Sequence, residues 1–448
     1  MPGPFQPGLG SSSGFHNLMK ATPIIPIAMV LLILLMRPGN DASAFHKGGV
    51  GACDACHSMH NPSQFVSNSS LLKSSDPSST CLNCHEQTGD TGPTRHHVST
   101  AQSDMPLGAP PKQLGPAGDF GWLQKTFIWV PSATGVLQRS PGDRHGHNII
   151  ADSFQYAADS TNNMAPGGNY PAMSLTCISC HDPHGKYRRD SLGSIATSGT
   201  PIQGSGSYAS SADPQSGSSV GVYRLLGGKN YQPKYLSGNF SFINDPPAAV
   251  APDTYNRAES GTQTRVAYGS NMSEWCQNCH TTMHTIVSSG TSTVPQTHPV
   301  GSLAKFGPTL STNYNIYVKT GVLTGNLITS FLSLVPFEEG TRDYPTLKAH
   351  ARSDNSYLYG PDSSSSQVMC LTCHRAHASA WDYATRWNTN SDYIVYNGFY
   401  SQDGQAFQPY GQGRTEMEAQ KAYYDIQASR FALNQDTLCH KCHVGALP

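Results

Sequence analysis

CDACHSMH, residues 53–60, holds two cysteines two positions apart, a histidine directly after them and a second histidine three positions further on. Five more stretches share the pattern of its first five positions: CLNCH (81–85), CISCH (177–181), CQNCH (276–280), CLTCH (370–374) and CHKCH (439–443). All twelve cysteines of the chain fall in these six pairs. C-x-x-C-H is the attachment signature of c-type haem. Two thiols add across the two vinyl groups of the porphyrin, and a two-residue gap lets one turn of chain bridge them. The next histidine is then placed under the iron as its proximal ligand. The attachment residues are Cys53 and Cys56, Cys81 and Cys84, Cys177 and Cys180, Cys276 and Cys279, Cys370 and Cys373, and Cys439 and Cys442. The proximal ligands are His57, His85, His181, His280, His374 and His443. Disulfides of exported chains and zinc sites also use paired cysteines, but neither requires a histidine after every pair. The sequence therefore predicts six covalently attached haem c groups.

The chain has 448 residues, only 13% of them charged, and a formal net charge of -1. There is no long basic face for nucleic acid and no acidic tail. Glycine, proline, serine, threonine and asparagine are used heavily, and no long amphipathic pattern occurs. The fold expected is mostly irregular and loop-rich, a multihaem cytochrome c with short helices and few short strands. Side chains alone are not expected to build a large core.

The N-terminus reads as an export signal. After Lys20, an apolar run from Ile24 to Met36 is too short for a comfortable membrane span. Ala42 and Ala44 occupy the small positions of an A-x-A site, which predicts cleavage between Ala44 and Phe45. An uncleaved anchor is opposed by Pro26 and by that site. Residues 1–18, before Met19, read as a start-codon overcall. Residues 45–448 then form one exported hexahaem domain without a membrane span.

Each iron has a second axial position. With His16 in the leader, twelve histidines remain for it: His46, His60, His96, His97, His145, His147, His184, His284, His298, His350, His377 and His440. Six suffice. His60, His184 and His377 follow a proximal histidine by three positions, and His284 follows one by four. A residue three or four positions on lies on the same side of a helical turn. Such a histidine sits under the same haem face and cannot reach the opposite one. If it binds iron, it binds that of a neighbouring haem; a surface or propionate-bonding role is the alternative, and for His284 the two stand even. His97, His147 and His298 are loop candidates, with His46 and His350 weaker. In the doublets His96–His97 and His145–His147, His96 and His145 are the expected spares, and His440 is held between two attachment cysteines. Met59 and Met283 are further possible ligands that would raise the potential.

The motif starts are 28, 96, 99, 94 and 69 residues apart, but the sequences between them are unalike. This reads as a series of haem-binding modules. Short helices are expected after each motif, a longer one over 416–433, and short strands around 222–226 and 315–318.

Beyond the motifs, the stretches FHKGGV, CDACHSMHN, CLNCHEQTGDTGP, GDFGW, APGGNYPA, CHDPHGKYRR, GGKNYQPKYLSG, TQTRVAYG, MSEWCQNCH, PFEEGT and CLTCHRAHAS carry a resemblance. The chain resembles the OmcS-like family of hexahaem outer-surface c-type cytochromes, which polymerise into extracellular electron-conducting filaments, or nanowires. The similarity spans nearly all of 45–448 and is weakest over 380–435. His96, His145 and His440 depart from the family pattern. The resemblance implies six bis-histidine haems in one stack that continues from subunit to subunit. It also implies that His60 reaches the adjacent subunit and completes the fifth haem, attached at Cys370 and Cys373. A head-to-tail contact of this kind grows into a filament unless it closes.

Bis-histidine iron has no open position, so the expected function is long-range electron transfer without catalysis. The resemblance implies other cytochromes as donors and extracellular acceptors such as metal oxides. A multihaem oxyanion reductase would need a free distal site, and no C-x-x-C-K variant is present. A non-polymerising periplasmic or surface shuttle is the other rival, and a filament with haem only as scaffold a third. A haem-free preparation is expected to be unfolded by circular dichroism. A folded spectrum would overturn this dependence.

Overall fold

Two cysteines two positions apart fit one helical turn, and the motifs shape the chain locally in that way. The computed structural model describes residues 53–58, 71–89, 92, 96–131, 134–200, 202–236, 238–254, 259–283, 298–400 and 411–444. All belong to one compact unit. Their helices are α1 (Cys53–Cys56), α2 (Pro77–His85), α3 (Met272–Cys276), α4 (Gly307–Ile316), α5 (Tyr344–His350), α6 (Cys370–Cys373) and α7 (Glu416–Ala422). The third and sixth motifs form 3₁₀ turns, Cys177–Ser179 and Leu438–Lys441. The helical turns thus lie on the motifs themselves, not after them. None of these helices is long and apolar enough to cross a membrane.

Local sequence explains where the helices start. Asp76 caps α2 by accepting from Ser79 N at 2.8 Å, with Pro77 in the first turn. Asp343 caps α5 in the same way, and Thr415 and Glu418 form a reciprocal capping box on α7. The helix expected over 416–433 stops at Ala422 because Tyr424 and Asp425 are left-handed, φ 58° and 61°. Tyr424 is buried, and its ring lies under the Arg375 guanidinium, 4.2 Å from centroid. Tertiary packing therefore breaks a pattern that local propensity would continue.

The strands pair only locally. β1 (Phe127–Trp129) pairs with β2 (Gln138–Ser140). β3 (Arg188–Asp190) pairs with β4 (Ile195–Ala196) and β5 (Ser219–Gly221). β6 (Ala248–Val250) pairs with β7 (Ala267–Ser270), and β8 (Tyr393–Tyr396) with β9 (Phe399–Tyr400) and β10 (Gln435–Asp436). The strand expected at 222–226 ends earlier, at Gly221, because Arg224 and Leu225 turn left-handed. Residues 315–318 are not a strand: they close α4, which starts at Gly307–Pro308.

Apolar residues gather in clusters strung along the motifs. The largest joins Trp122, Phe306, Tyr314, Trp381, Trp387 and Tyr423 and packs against Cys373, Cys439 and Cys442. This C-terminal cluster is larger than composition led us to expect. Smaller ones pack against Cys177 and Cys279, and another includes Leu371 of the fifth motif.

Asp119 anchors the region ahead of Trp122. It is fully buried and accepts from Thr100 N (2.8 Å), Thr100 Oγ1 (2.7 Å), Gln113 N (3.1 Å) and Gly121 N (2.8 Å), with His97 Nε2 at 3.3 Å. Burial pushes its carboxyl up, but these donors and the charge of His97 hold it below its ordinary value. Asp119→Ala would strand several buried donors, at a cost of about 3 kcal/mol. The thermal unfolding midpoint of the haem-loaded protein should fall; an unchanged midpoint would contradict the anchoring role.

Candidate haem-attachment sites

In each motif the histidine closes the turn. His57 N donates to Cys53 O (2.9 Å), His181 N to Cys177 O (3.0 Å), His280 N to Cys276 O (3.1 Å), His374 N to Cys370 O (3.0 Å) and His443 N to Cys439 O (3.0 Å). His85 lies within α2. One helical turn therefore fixes both thiols and the ring together.

The rings are then oriented from elsewhere in the chain. The Nδ1 atoms of His85, His181, His280 and His374 bond the carbonyls of His96 (2.7 Å), Arg224 (2.7 Å), Pro166 (2.8 Å) and Tyr383 (2.8 Å). A ring that donates from Nδ1 to a carbonyl presents the Nε2 lone pair to a metal.

The first, third and fifth motifs share one clamp. The residue after each histidine donates to a left-handed, non-glycine residue: Ser58 N to Leu71 O, Asp182 N to Leu225 O, and Arg375 N to Ala384 O. Two positions on, Lys73, Gly227 and Arg386 return a bond to the carbonyl of Cys56, Cys180 and Cys373. The intervening residue forms a bridge to the histidine in all three. Such left-handed residues cost about 1–2 kcal/mol each and persist only where surroundings fix them.

The second and fourth motifs share a different device, which joins each to the next motif. Ser78 Oγ, three residues before Cys81, accepts from Cys177 N (3.1 Å). Ser273 Oγ, three residues before Cys276, accepts from Cys370 N (3.1 Å). The side chains of Cys81 and Cys177 lie within electrostatic reach of one another, as do those of Cys276 and Cys370. Cys56 lies within electrostatic reach of Cys84, Cys279 of Cys180, and Cys373 of Cys439 and Cys442. The six turns thus follow one another in space in sequence order.

Histidines from different motifs meet in pairs. Ring centroids of His57 and His184 are 6.3 Å apart, those of His147 and His280 6.1 Å, and those of His298 and His443 6.1 Å. Two metal–imidazole bonds of about 2.0 Å, added to the two ring radii, require about 6 Å. His147 and His298 also bond carbonyls through Nδ1, those of Ala376 (2.8 Å) and Pro299 (2.9 Å). These residues fit a haem iron between each pair.

The remaining candidates divide. His377 stacks on Phe120 (4.6 Å) within electrostatic reach of His181, His147 and His85. His97 is buried with Nε2 on Thr100 Oγ1 (3.0 Å) and Asp119. His350 has its Nδ1 on Glu339 Oε2 at 2.5 Å and its ring stacked on Tyr357 at 4.0 Å. His46, His60 and His284 lie outside the described residues. Of the expected spares, His145 has both ring nitrogens in use, on Trp122 O (2.9 Å) and Ser140 Oγ (2.8 Å), and burial lowers its pKa to about 3. His96 meets Tyr208, and His440 faces Asp436.

Sequence reading did not find the clamp residues, because a carbonyl acceptor leaves no side-chain signature. One glycine does betray its neighbour: a Cβ on Gly168 would lie 1.7 Å from Cys279 O. Gly168→Ala should displace the Pro166–Gly168 segment and lower stability by about 1–3 kcal/mol. Thermal unfolding of the haem-loaded variant checks it; a wild-type melting curve would contradict this contact.

No family model matches the sequence. The chain is 49% identical over 442 residues to the C-type cytochrome OmcS of Geobacter sulfurreducens, covering 95% of this chain and 99% of the relative. It also superposes on the cryo-EM structure of the OmcS nanowires from Geobacter sulfurreducens, with a TM-score of 0.83 and 50% identity over 90% of this chain and 100% of that one. A second structure, an Outer Membrane Cytochrome S filament from the same organism, gives a TM-score of 0.82 at 50% identity, again over 90% of this chain and 100% of that one. The serial attachment turns and the extent of this similarity together place the chain in the OmcS family of c-type cytochromes.

Proposed function

We propose that this chain holds six covalently attached haem c groups and carries electrons along them in an extracellular, head-to-tail homopolymeric filament. The observation that carries the reading is the serial order of the six attachment turns, with histidine pairs contributed across motifs. The haem groups supply one-electron iron couples. The chain would hold each group with two cysteines and paired histidines, fix their spacing and exclude water with the clusters around the turns. Histidine pairs of this kind would leave no place for substrate at iron, which supports a carrier rather than an enzyme.

We assign His184 to the first site opposite His57, His147 to the fourth opposite His280, and His298 to the sixth opposite His443. Their ring separations support this. His377 is assigned to the third site by its nearness to His181. His46, His97 and His284 are left as the candidates for the second site, opposite His85. The fifth, at His374, then takes His60 from a neighbouring copy, as in the family resemblance. In this reading His184 and His377 each follow the proximal histidine of one site and serve another. His350 supports Glu339 and Arg265 instead.

Export through the signal over 1–44, a mature domain over 45–448, electron-donating cytochromes and acceptors such as metal oxides complete the proposal. Electron microscopy of the protein shed from its own cells tests the polymer; discrete particles would favour a shuttle. His60→Ala should keep all six covalent haems, convert one to a five-coordinate high-spin state and weaken assembly. Normal filaments with six low-spin haems would refute the ligand crossing between copies.

A further inference from the structure

Glu338 is wholly buried, beside the fourth and fifth attachment turns. Its backbone pairs with that of Gln367, N to O at 3.0 Å and O to N at 2.8 Å. That pairing aims the side chain at the start of α3. Glu338 Oε1 accepts from Met272 N at 2.6 Å, and Ser273 N also donates to the carboxylate. Ser273 is the residue whose Oγ receives Cys370 N. One carboxylate thus sits where the turn carrying Cys276 meets the turn carrying Cys370.

Its second oxygen is the unusual feature. Oε2 is buried and has no hydrogen-bond partner among the described residues. Asp119, equally buried, accepts from four donors besides His97 and remains ionised. The groups beside Glu338 are Glu274 on α3, an acid, and Cys370 on α6, which has no ionisable proton once it carries haem, so neither is a cation. Arg265 pairs with the neighbouring Glu339, at 2.8 Å. Burial first, then the charge of Glu274, push the Glu338 carboxyl up to about 7, against the Met272 and Ser273 donors. A carboxyl so placed can change its charge without disturbing any bond to Oε2.

We propose that Glu338 is a redox-linked proton-binding site. Its carboxylate takes a proton from solvent when an electron resides at the fourth or fifth attachment site, and releases it when the electron moves on. The only bond made or broken is O–H at the carboxyl, and the electron is the one already in transit, so no further reductant is needed. Added negative charge nearby favours the neutral carboxyl, and by linkage the neutral carboxyl favours the added electron. The inference rests on haem attachment at the fourth and fifth motifs.

The test uses haem-loaded filaments of the wild type and of Glu338→Gln, titrated potentiometrically between about pH 5 and about pH 9, a range spanning ordinary and raised carboxyl values. Glutamine keeps an acceptor for Met272 N and carries no charge. Part of the wild-type haem population should show a midpoint that falls as pH rises, and the variant should lose that slope. Redox-difference infrared spectra of the wild type near neutral pH should gain a protonated-carboxyl C=O band on reduction. The same pH slope in both proteins overturns the proposal. So does absence of the band in the wild type, a reading that needs no variant to fold. Either result with six haems in place leaves the electron-transfer reading intact. Peptide mapping that finds no haem on the fourth or fifth motif would instead overturn the reading beneath it.

Discussion

A hydrogen bond from a ring Nδ1–H to a distant backbone carbonyl organises this protein. The C-x-x-C-H turn closes on itself, so it can form wherever the motif occurs. The ring bond cannot: His280 must find Pro166 O, 114 positions away, and His181 must find Arg224 O, 43 positions away. Each such bond fixes a ring nitrogen for metal ligation and ties a loop to a turn. Long, irregular connections then become ordered by their ends rather than by ladders of their own. The short sheets and separate apolar clusters are what remains for side chains to settle.

The clamps also create an alternation that the motif spacing hides. Odd-numbered motifs are braced by a left-handed residue and a returned bond to the second cysteine carbonyl. The second and fourth motifs lend a serine hydroxyl to the next motif's first cysteine. The second and third motifs thus form one unit, and the fourth and fifth another of the same construction. A unit that locks two thiol pairs together sets the distance between their cofactors by covalent geometry, with little freedom left to the loops. Close, fixed spacing is the condition for electron transfer along a series.

Much of this was legible in the sequence, and what was not has a common cause. Six motifs marked the candidate attachment residues because cysteine and histidine are chemically distinctive, and composition indicated the loop-rich class. Helix geometry implies that a histidine three positions on, where it binds iron, serves another site; the structure sets the ring of His184 6.3 Å from that of His57. Caps at Asp76, Asp343 and Thr415 carry readable signatures, yet the helices at 307–316 and 344–350 were overlooked, the first for want of any apolar period. The clamps escaped entirely. Leu71, Leu225 and Ala384 adopt left-handed backbone without being glycine, a conformation imposed by tertiary contacts that no propensity encodes. Sequence also gave no sign that His350 meets Glu339, since an ion pair formed across the fold leaves no local pattern.

The same reasoning separates the two buried carboxylates. Asp119 lies in a loop of tight turns whose amide groups converge on it, so it is bound to remain an anion and to act as structure. Glu338 lies at a junction between two attachment turns, where Met272 and Ser273 donate but no described residue meets Oε2. A protein selecting only for rigidity would satisfy that oxygen or replace it with an apolar group, since an unmet buried acceptor costs stability. An electron carrier faces another constraint. Each electron that enters a water-poor site leaves an uncompensated charge, and charge is costly there. A carboxyl with one satisfied and one open oxygen can absorb that charge by binding a proton while its bonded oxygen keeps α3 in place. The feature that weakens Glu338 as a structural anchor is the one that fits it to a chain through which charge must pass.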